Sequence, residues 1–216
     1  MSNLVVILGG SGTGKSTSMR NLPPNETFVF NVLGKPLPFK GYKRVYNQEN
    51  KNYLCTDNYR EIYKYLIAIN ERRPDIRNIV IDDFSFLMNN EFMRRCQEQG
   101  FNKFVEMGSN MFMILNVCNN FREDLVCFIM CHTEKDHAGI IKPKTVGKMT
   151  QDHVGIAERV SIVLHSQVID NQYMFLTQND GVYMAKSPMS MFDTNYINND
   201  LLEIKQQINN YYTGEQ

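Results

Sequence analysis

Residues 4–16 read Leu4-Val5-Val6-Ile7-Leu8-Gly9-Gly10-Ser11-Gly12-Thr13-Gly14-Lys15-Ser16, an apolar run that breaks into glycines and ends on Lys-Ser. From Gly9 onward the string matches the phosphate-binding loop pattern GxxxxGK(S/T) at every fixed position. The flank matters as much as the match. An unbroken apolar run is the mark of a buried parallel strand, and a strand feeding a glycine loop and then a helix aims backbone N–H groups at an anion. We read Gly9, Gly10, Gly12 and Gly14 as positions whose backbone angles a side chain would forbid. Lys15 is then the charge between the terminal phosphates, and Ser16 supplies a hydroxyl ligand for Mg2+. Thr17 begins the helix body, and with Ser11 and Thr13 these residues form the expected contact surface for ATP.

Working outward, the strand–helix alternation continues. Pro23 and Pro24 stop the first helix, and Thr27 to Val32 reads as a second strand. Leu33 to Val45 is rich in proline, glycine and basic residues and reads as a loop. Residues 57 to 72 carry Ile62, Leu66 and Ile69 at helical spacing, and Ile79 to Ile81 forms a short buried strand. Phe104, Met107, Met111, Leu115 and Cys118 mark another helix, followed by an apolar strand from Leu125 to Cys131. Further on, Val160 to Val168 and Gln172 to Thr177 alternate around Ile169-Asp170-Asn171, and Asn179-Asp180-Gly181 turns into Val182 to Ala185, which predicts antiparallel hairpins. Leu201, Ile204, Ile208 and Tyr211 predict a last amphipathic helix. The fold class expected is α/β, a mainly parallel sheet flanked by helices with antiparallel strands near the C-terminus, in one domain over residues 1–216.

With 216 residues and 43% hydrophobic content the chain can bury one sizeable core. Its 23 basic and 23 acidic residues cancel, so any affinity for a polyanion must come from local clustering. No run approaches the length of about 18 apolar residues that spans a bilayer, so the expectation is a cytoplasmic protein without a membrane partner. Cys55, Cys96, Cys118, Cys127 and Cys131 are an odd set without CxxC pairs, which suits reduced thiols. A metal site from Cys127, Cys131, His132 and His137 is the alternative to buried core cysteines.

A phosphate loop needs an acidic partner, and Asn78-Ile79-Val80-Ile81-Asp82-Asp83 ends a hydrophobic strand in two carboxylates. Asp82 is the expected Mg2+ ligand. Asp83 is the candidate that orients or deprotonates an attacking water, or else the N-cap of a helix from Phe84 onward. His132 ends the strand Phe128-Ile129-Met130-Cys131-His132, at the edge where open α/β sheets place ligands, as a γ-phosphate sensor or a structural hydrogen-bonder. Residues 133–148 form an expected loop with Lys135, Lys142, Lys144 and Lys148. Lys35, Lys40, Lys43 and Arg44 interleave with Phe39, Tyr42 and Tyr46 in a second basic patch. Each patch suits single-stranded DNA or is a solvated surface.

Together GGSGTGKST, NIVIDDF, FIMCHTE and the basic stretch after it resemble the RecA-like P-loop ATPases of tailed bacteriophages, a group that includes single-strand annealing and recombination proteins. Gly34 to Phe39, Lys142 to Lys148 and Ala185 to Met189 look like the same group. The resemblance implies an ATP- and Mg2+-dependent ATPase acting in recombination or replication, with single-stranded DNA, other copies of itself and phage replication proteins as partners. It implies that His132 is the polar sensor, that 133–148 is a DNA-binding loop and that Lys186 reaches a neighbouring subunit's nucleotide. No clear catalytic glutamate follows the second strand, so annealing, loading or ATP-gated DNA binding is expected rather than strand exchange. Two other readings fit the loop alone: a nucleoside or nucleotide kinase, against which Arg72, Arg73, Arg94 and Arg95 fall in pairs on expected helices and not in a glycine-hinged lid, and a nucleotide-switched loader or packaging factor.

Overall fold

The computed structural model describes residues 4–146 and 154–214. Among them nine strands form one mixed sheet. Its centre is β1 (Leu4–Gly9), paired in parallel with β5 (Val126–Lys135) on one side and with β7 (Ile162–Ile169) on the other. Beyond β5 lie β4 (Asn78–Asp82), β2 (Thr27–Asn31) and the edge strand β3 (Tyr53–Cys55), all parallel. Beyond β7 the direction alternates through β8 (Gln172–Leu176) and β9 (Tyr196–Asn198). The far end of β5 pairs antiparallel with β6 (Ile141–Pro143). The expected class is therefore the observed one.

The run at β1 is apolar throughout because both faces of the sheet are covered. Successive strand side chains point to opposite faces. Leu4, Val6 and Leu8 join one core cluster with Ile62, Leu66 and Ile69 of α2 (Tyr59–Arg72), Leu87 and Met88 of α3 (Ser85–Arg94), and Met107, Met111 and Leu115 of α4 (Asn102–Asn119). Val5 and Ile7 join the other, with Met19, Leu22 and the Leu201, Ile204 and Ile208 stripe of α5 (Leu201–Thr213). Asn58 accepts from Arg60 N at 3.0 Å and Asp200 from Leu202 N at 2.9 Å, N-caps worth about 1 kcal/mol each. At the other end of α2, Arg122 donates to the carbonyls of Ile69 (3.1 Å), Asn70 (3.0 Å), Arg73 and Ile76, which holds the entry into β4.

Several local expectations are corrected. The helix after the phosphate loop is one six-residue 3-10 segment, Ser16–Asn21, because Pro23 holds Leu22 extended (ψ 135°). A short helix Tyr42–Val45 interrupts the expected loop 33–45, entered through Gly41 at φ 83°. The stretch after His132 is not an open loop. β5 runs on to Lys135 and folds back through Asp136, whose Oδ1 accepts from Ala138 N and Ile140 N, into β6. Val182 to Ala185 makes only one isolated bridge, Tyr183 with Ile141, and a second, Lys186 with Val163, falls just past it. The β7–β8 turn does fall at Asp170-Asn171, with φ 48° and 62°, the angles of a two-residue type I′ hairpin. Cys127 and Cys131 both turn into the helical core cluster, and burial pushes the Cys131 thiol up to about 12. No helix of the described residues is long and apolar enough to cross a membrane.

His165 on β7 is 2% exposed, and burial lowers its pKa from 6.5 to about 4. The folded chain thus keeps a neutral imidazole where the unfolded chain takes up a proton, so stability falls as pH drops from 6.5 towards 4. The expected loss is about 3 kcal/mol across that window. Urea midpoints at pH 7 and pH 4.5 check this, and His165→Gln should flatten the difference between them.

Candidate active site

The loops after β1, β4 and β5 meet at the carboxyl edge of the sheet. The order β4-β5-β1 sets the spacing: β5 lies between the loop strand and the acidic strand, with His132 in register with Gly9. Lys15 is 6% exposed and its Nζ donates to the carbonyls of Gly9 (2.7 Å) and Gly10 (2.6 Å), folded back into the throat of the loop. Burial lowers its pKa against the opposing pull of Asp83 and Asp82. Ser16 Oγ donates to Asp82 Oδ1 at 2.8 Å, which brings together the two oxygens expected to hold Mg2+. Two hard oxygen ligands suit a Mg2+ that takes its remaining ligands from phosphates and water. Burial first, then the neighbouring Asp83, push the Asp82 pKa up to about 6.

Asp83 turns the other way. Its backbone sits at φ 60°, a left-handed conformation that Asp tolerates better than most residues. Its Oδ1 lies 3.0 Å from His132 Nε2 and its Oδ2 accepts from Lys35 Nζ at 3.2 Å. Burial alone would raise its pKa, but the His132 hydrogen bond and the Lys35 charge hold the carboxyl below the ordinary range. Phe86 backs the group: Lys35 Nζ stands 5.4 Å from its ring centroid, and His132 meets it edge-on at 5.4 Å. The helix-cap reading of Asp83 is overturned, because the N-cap of α3 is Phe84, with no side-chain cap, and the Asp83 carboxylate is engaged elsewhere.

The glycines divide by physical role. Gly12 (φ 78°) and Gly14 (φ 94°) hold backbone angles that disfavour a side chain. Gly9 is needed for space, since a Cβ there would stand 2.6 Å from Thr13 Oγ1 and 3.0 Å from the Ser166 carbonyl. Gly10 meets neither limit, its nearest neighbour being 3.7 Å away, which corrects the uniform reading of the four. Gly14 is also crowded, a Cβ falling 2.7 Å from Tyr173 Cδ1. On the β7 side, Ser166 Oγ donates to Thr13 O at 2.5 Å and accepts from Asn199 Nδ2 at 3.1 Å, which ties loop, sheet and the start of α5 together.

The basic residues are less uniform than their spacing implies. Lys40, Lys43 and Arg44 are exposed, but Tyr46 is 3% exposed in the core, with Phe39 and Tyr42 packed half-buried beside it. These rings line the inside of the patch, so Tyr46 offers no open stacking surface. Lys142 pairs with Asp136 at 3.5 Å on the hairpin, and Lys144 is exposed, its backbone N–H donating to the His132 carbonyl at 2.8 Å. Lys148 lies outside the described residues. Lys186 is half-buried and exchanges backbone hydrogen bonds with Val163. Arg73, Arg94 and Arg95 are ion-paired with Asp75, Asp57 and three glutamates respectively, which turns them away from a kinase-like clamp.

Lys35, Ser166, Asn199 and Tyr173 were not legible as members of the site. Lys35 stood out only as one cation in a basic stretch, and Ser166 carried a weak signal as a polar residue at the same strand edge as His132. The contrast among the glycines is testable: Gly10→Ala should stay within about 0.5 kcal/mol of the parent, whereas Gly14→Ala should lose about 1–3 kcal/mol. Thermal melts without nucleotide distinguish the two.

Comparison with curated proteins finds no match. A family model described as an AAA domain matches residues 1–189, a span that takes in the phosphate loop, the paired acids, His132 and the β7–β8 hairpin. With a glycine loop of the phosphate-binding pattern and a pair of adjacent carboxylates at the edge of a mostly parallel sheet, the chain belongs to this AAA domain family of nucleotide-binding P-loop ATPases.

Proposed function

We propose that the chain binds ATP with Mg2+ in the Gly9–Thr17 loop, hydrolyses it, and couples that cycle to single-stranded DNA. The observation that carries the reading is the convergence of Lys15, Ser16, Asp82, Asp83 and His132 from three neighbouring parallel strands. Lys15 is held within the loop by carbonyls, so its ammonium is already placed for phosphate oxygens. Ser16 and Asp82 would hold the cation, whose charge would favour the carboxylate form of Asp82 that burial disfavours. When bound, Mg2+ supplies charge neutralisation at the phosphates.

Asp83 is the residue assigned to the water. Its lowered pKa makes it a carboxylate at neutral pH, and its two oxygens are oriented by His132 and Lys35. A carboxylate so held aligns a water and accepts its proton as the bond to the terminal phosphorus forms and the diphosphate oxygen leaves. His132 contacts Asp83 and continues directly into the basic hairpin, so the terminal phosphate and the hairpin act on one strand. Lys40, Lys43, Arg44, Lys142, Lys144 and Lys148 are assigned to DNA phosphates. The motif resemblance supports a place in phage recombination or replication as a homo-oligomer, with Lys186 offered to a neighbour's nucleotide.

Lys15→Ala should abolish Mg-ATP binding and turnover, and unchanged turnover in that variant would remove the reading. Asp83→Asn, which tolerates the same backbone angle, should keep Mg-ATP binding while turnover drops by about 10²–10⁴-fold. The Lys142→Ala, Lys144→Ala, Lys148→Ala triple variant should keep its DNA-independent turnover and lose DNA stimulation. The slope of its single-strand affinity against salt should fall by about 0.7 for each phosphate contact removed.

A further inference from the structure

This inference rests on the nucleotide reading above and asks where the rest of the nucleotide lies. The terminal-phosphate end of the loop is marked by Asp83 and His132, on the β4 and β5 side of β1. A polyphosphate following the loop from that end therefore leaves its nucleoside on the opposite flank, beside β7 and β8. There a cleft of about 620 Å³ opens next to Thr17, just past the loop, and extends between Arg20 and Tyr173 towards Asn199 and Glu203. Its volume lies within the range of small-molecule sites. We infer that this cleft holds the base and ribose of the triphosphate, with the base stacked on Tyr173.

Four features make it a built site. Tyr173 is a large aromatic left 50% exposed, yet its position is set: its ring abuts Gly14 and its strand is entered through the rigid Asp170-Asn171 turn. Across the cleft the Arg20 guanidinium is immobilised by the carbonyls of Asn199 (2.7 Å) and Thr17 (3.3 Å) and by Asp200 (3.5 Å). An aromatic ring and a guanidinium plane are the two flat side-chain surfaces on which nucleobases stack. Asn199, 3% exposed, spends its Nδ2 on Ser166, while its Oδ1 has no partner among the described residues. That oxygen is itself buried beside Gly14, so Asn199 braces the wall of the cleft rather than facing the ligand. Finally, Tyr173 and Asn199 both crowd Gly14, so the cleft and the phosphate loop share a wall.

The test compares Mg-ATP with Mg-tripolyphosphate, which has the charge but no nucleoside, by calorimetry on the full chain. Tyr173→Ala should weaken Mg-ATP by about 5–100-fold more than it weakens tripolyphosphate, while Tyr173→Phe keeps the parent affinity for both. Unchanged ATP affinity in Tyr173→Ala, or an equal loss for both ligands, overturns the cleft and leaves the phosphate loop standing. A parent protein that binds neither ligand overturns both assignments. Independently of any variant, an azido-purine analogue of ATP should photolabel the peptide containing Tyr173, and labelling confined to other peptides overturns the cleft.

Discussion

Two adjacent carboxylates at the mouth of a hydrophobic strand are an electrostatic problem that the surrounding structure answers. Burial and mutual repulsion raise Asp82, and the same burial acts on Asp83, where His132 and Lys35 reverse its effect. The left-handed backbone at Asp83 separates the pair, so one carboxylate meets the Ser16 hydroxyl and the other meets two nitrogen donors. Lys15 sits in the field of both acids. The strand order, the glycine loop and the Phe86 support all maintain this division between a carboxylate that can hold a cation and one that can hold a water. The arrangement needs β5 between β1 and β4, because that strand brings His132 to the second acid.

Much of this was legible in residue order, and the reasons differ by element. β1, β4 and β5 are apolar runs covered on both faces, and α2, α4 and α5 show the helical period because each covers one face of the sheet. β3 and β9 have three residues each, too few for any period to register. The helix after the phosphate loop was overestimated because the motif implies one, whereas the prolines a few residues on leave room for a single 3-10 segment. The basic run after His132 looked like a loop because its charged residues hide a hairpin whose pairing depends on Asp136.

Within the site, residues whose role follows from a motif were found, and those whose role follows from packing were not. Lys15, Ser16 and Asp82 are tied to a spacing or a strand end. Lys35 reaches Asp83 only because Asn31 Nδ2 donates to its carbonyl at 2.6 Å and Leu37 is buried two residues on, contacts that span three segments of chain. The aromatic residues of the same stretch misled for a related reason. Alternation with cations suits a stacking surface equally well as an anchor, and only burial separates the two, as it does for Tyr46.

β5 changes neighbours along its length. Up to Ile129 it is paired with β4 and through His132 with β1, while from Thr133 its recorded ladder is with β6. The strand is therefore clamped in the middle of the sheet and held by a lighter partner beyond it. That partner is itself moored, since Ile141 N donates to Val182 O at 2.7 Å and Lys186 N to Val163 O at 2.9 Å, which ties the 133–143 ribbon back to β7. The ribbon therefore closes a bridge over the loop strand from one neighbour of β1 to the other, and the junction of His132 and Thr133, beside the Asp83 carboxylate, is one of its two abutments.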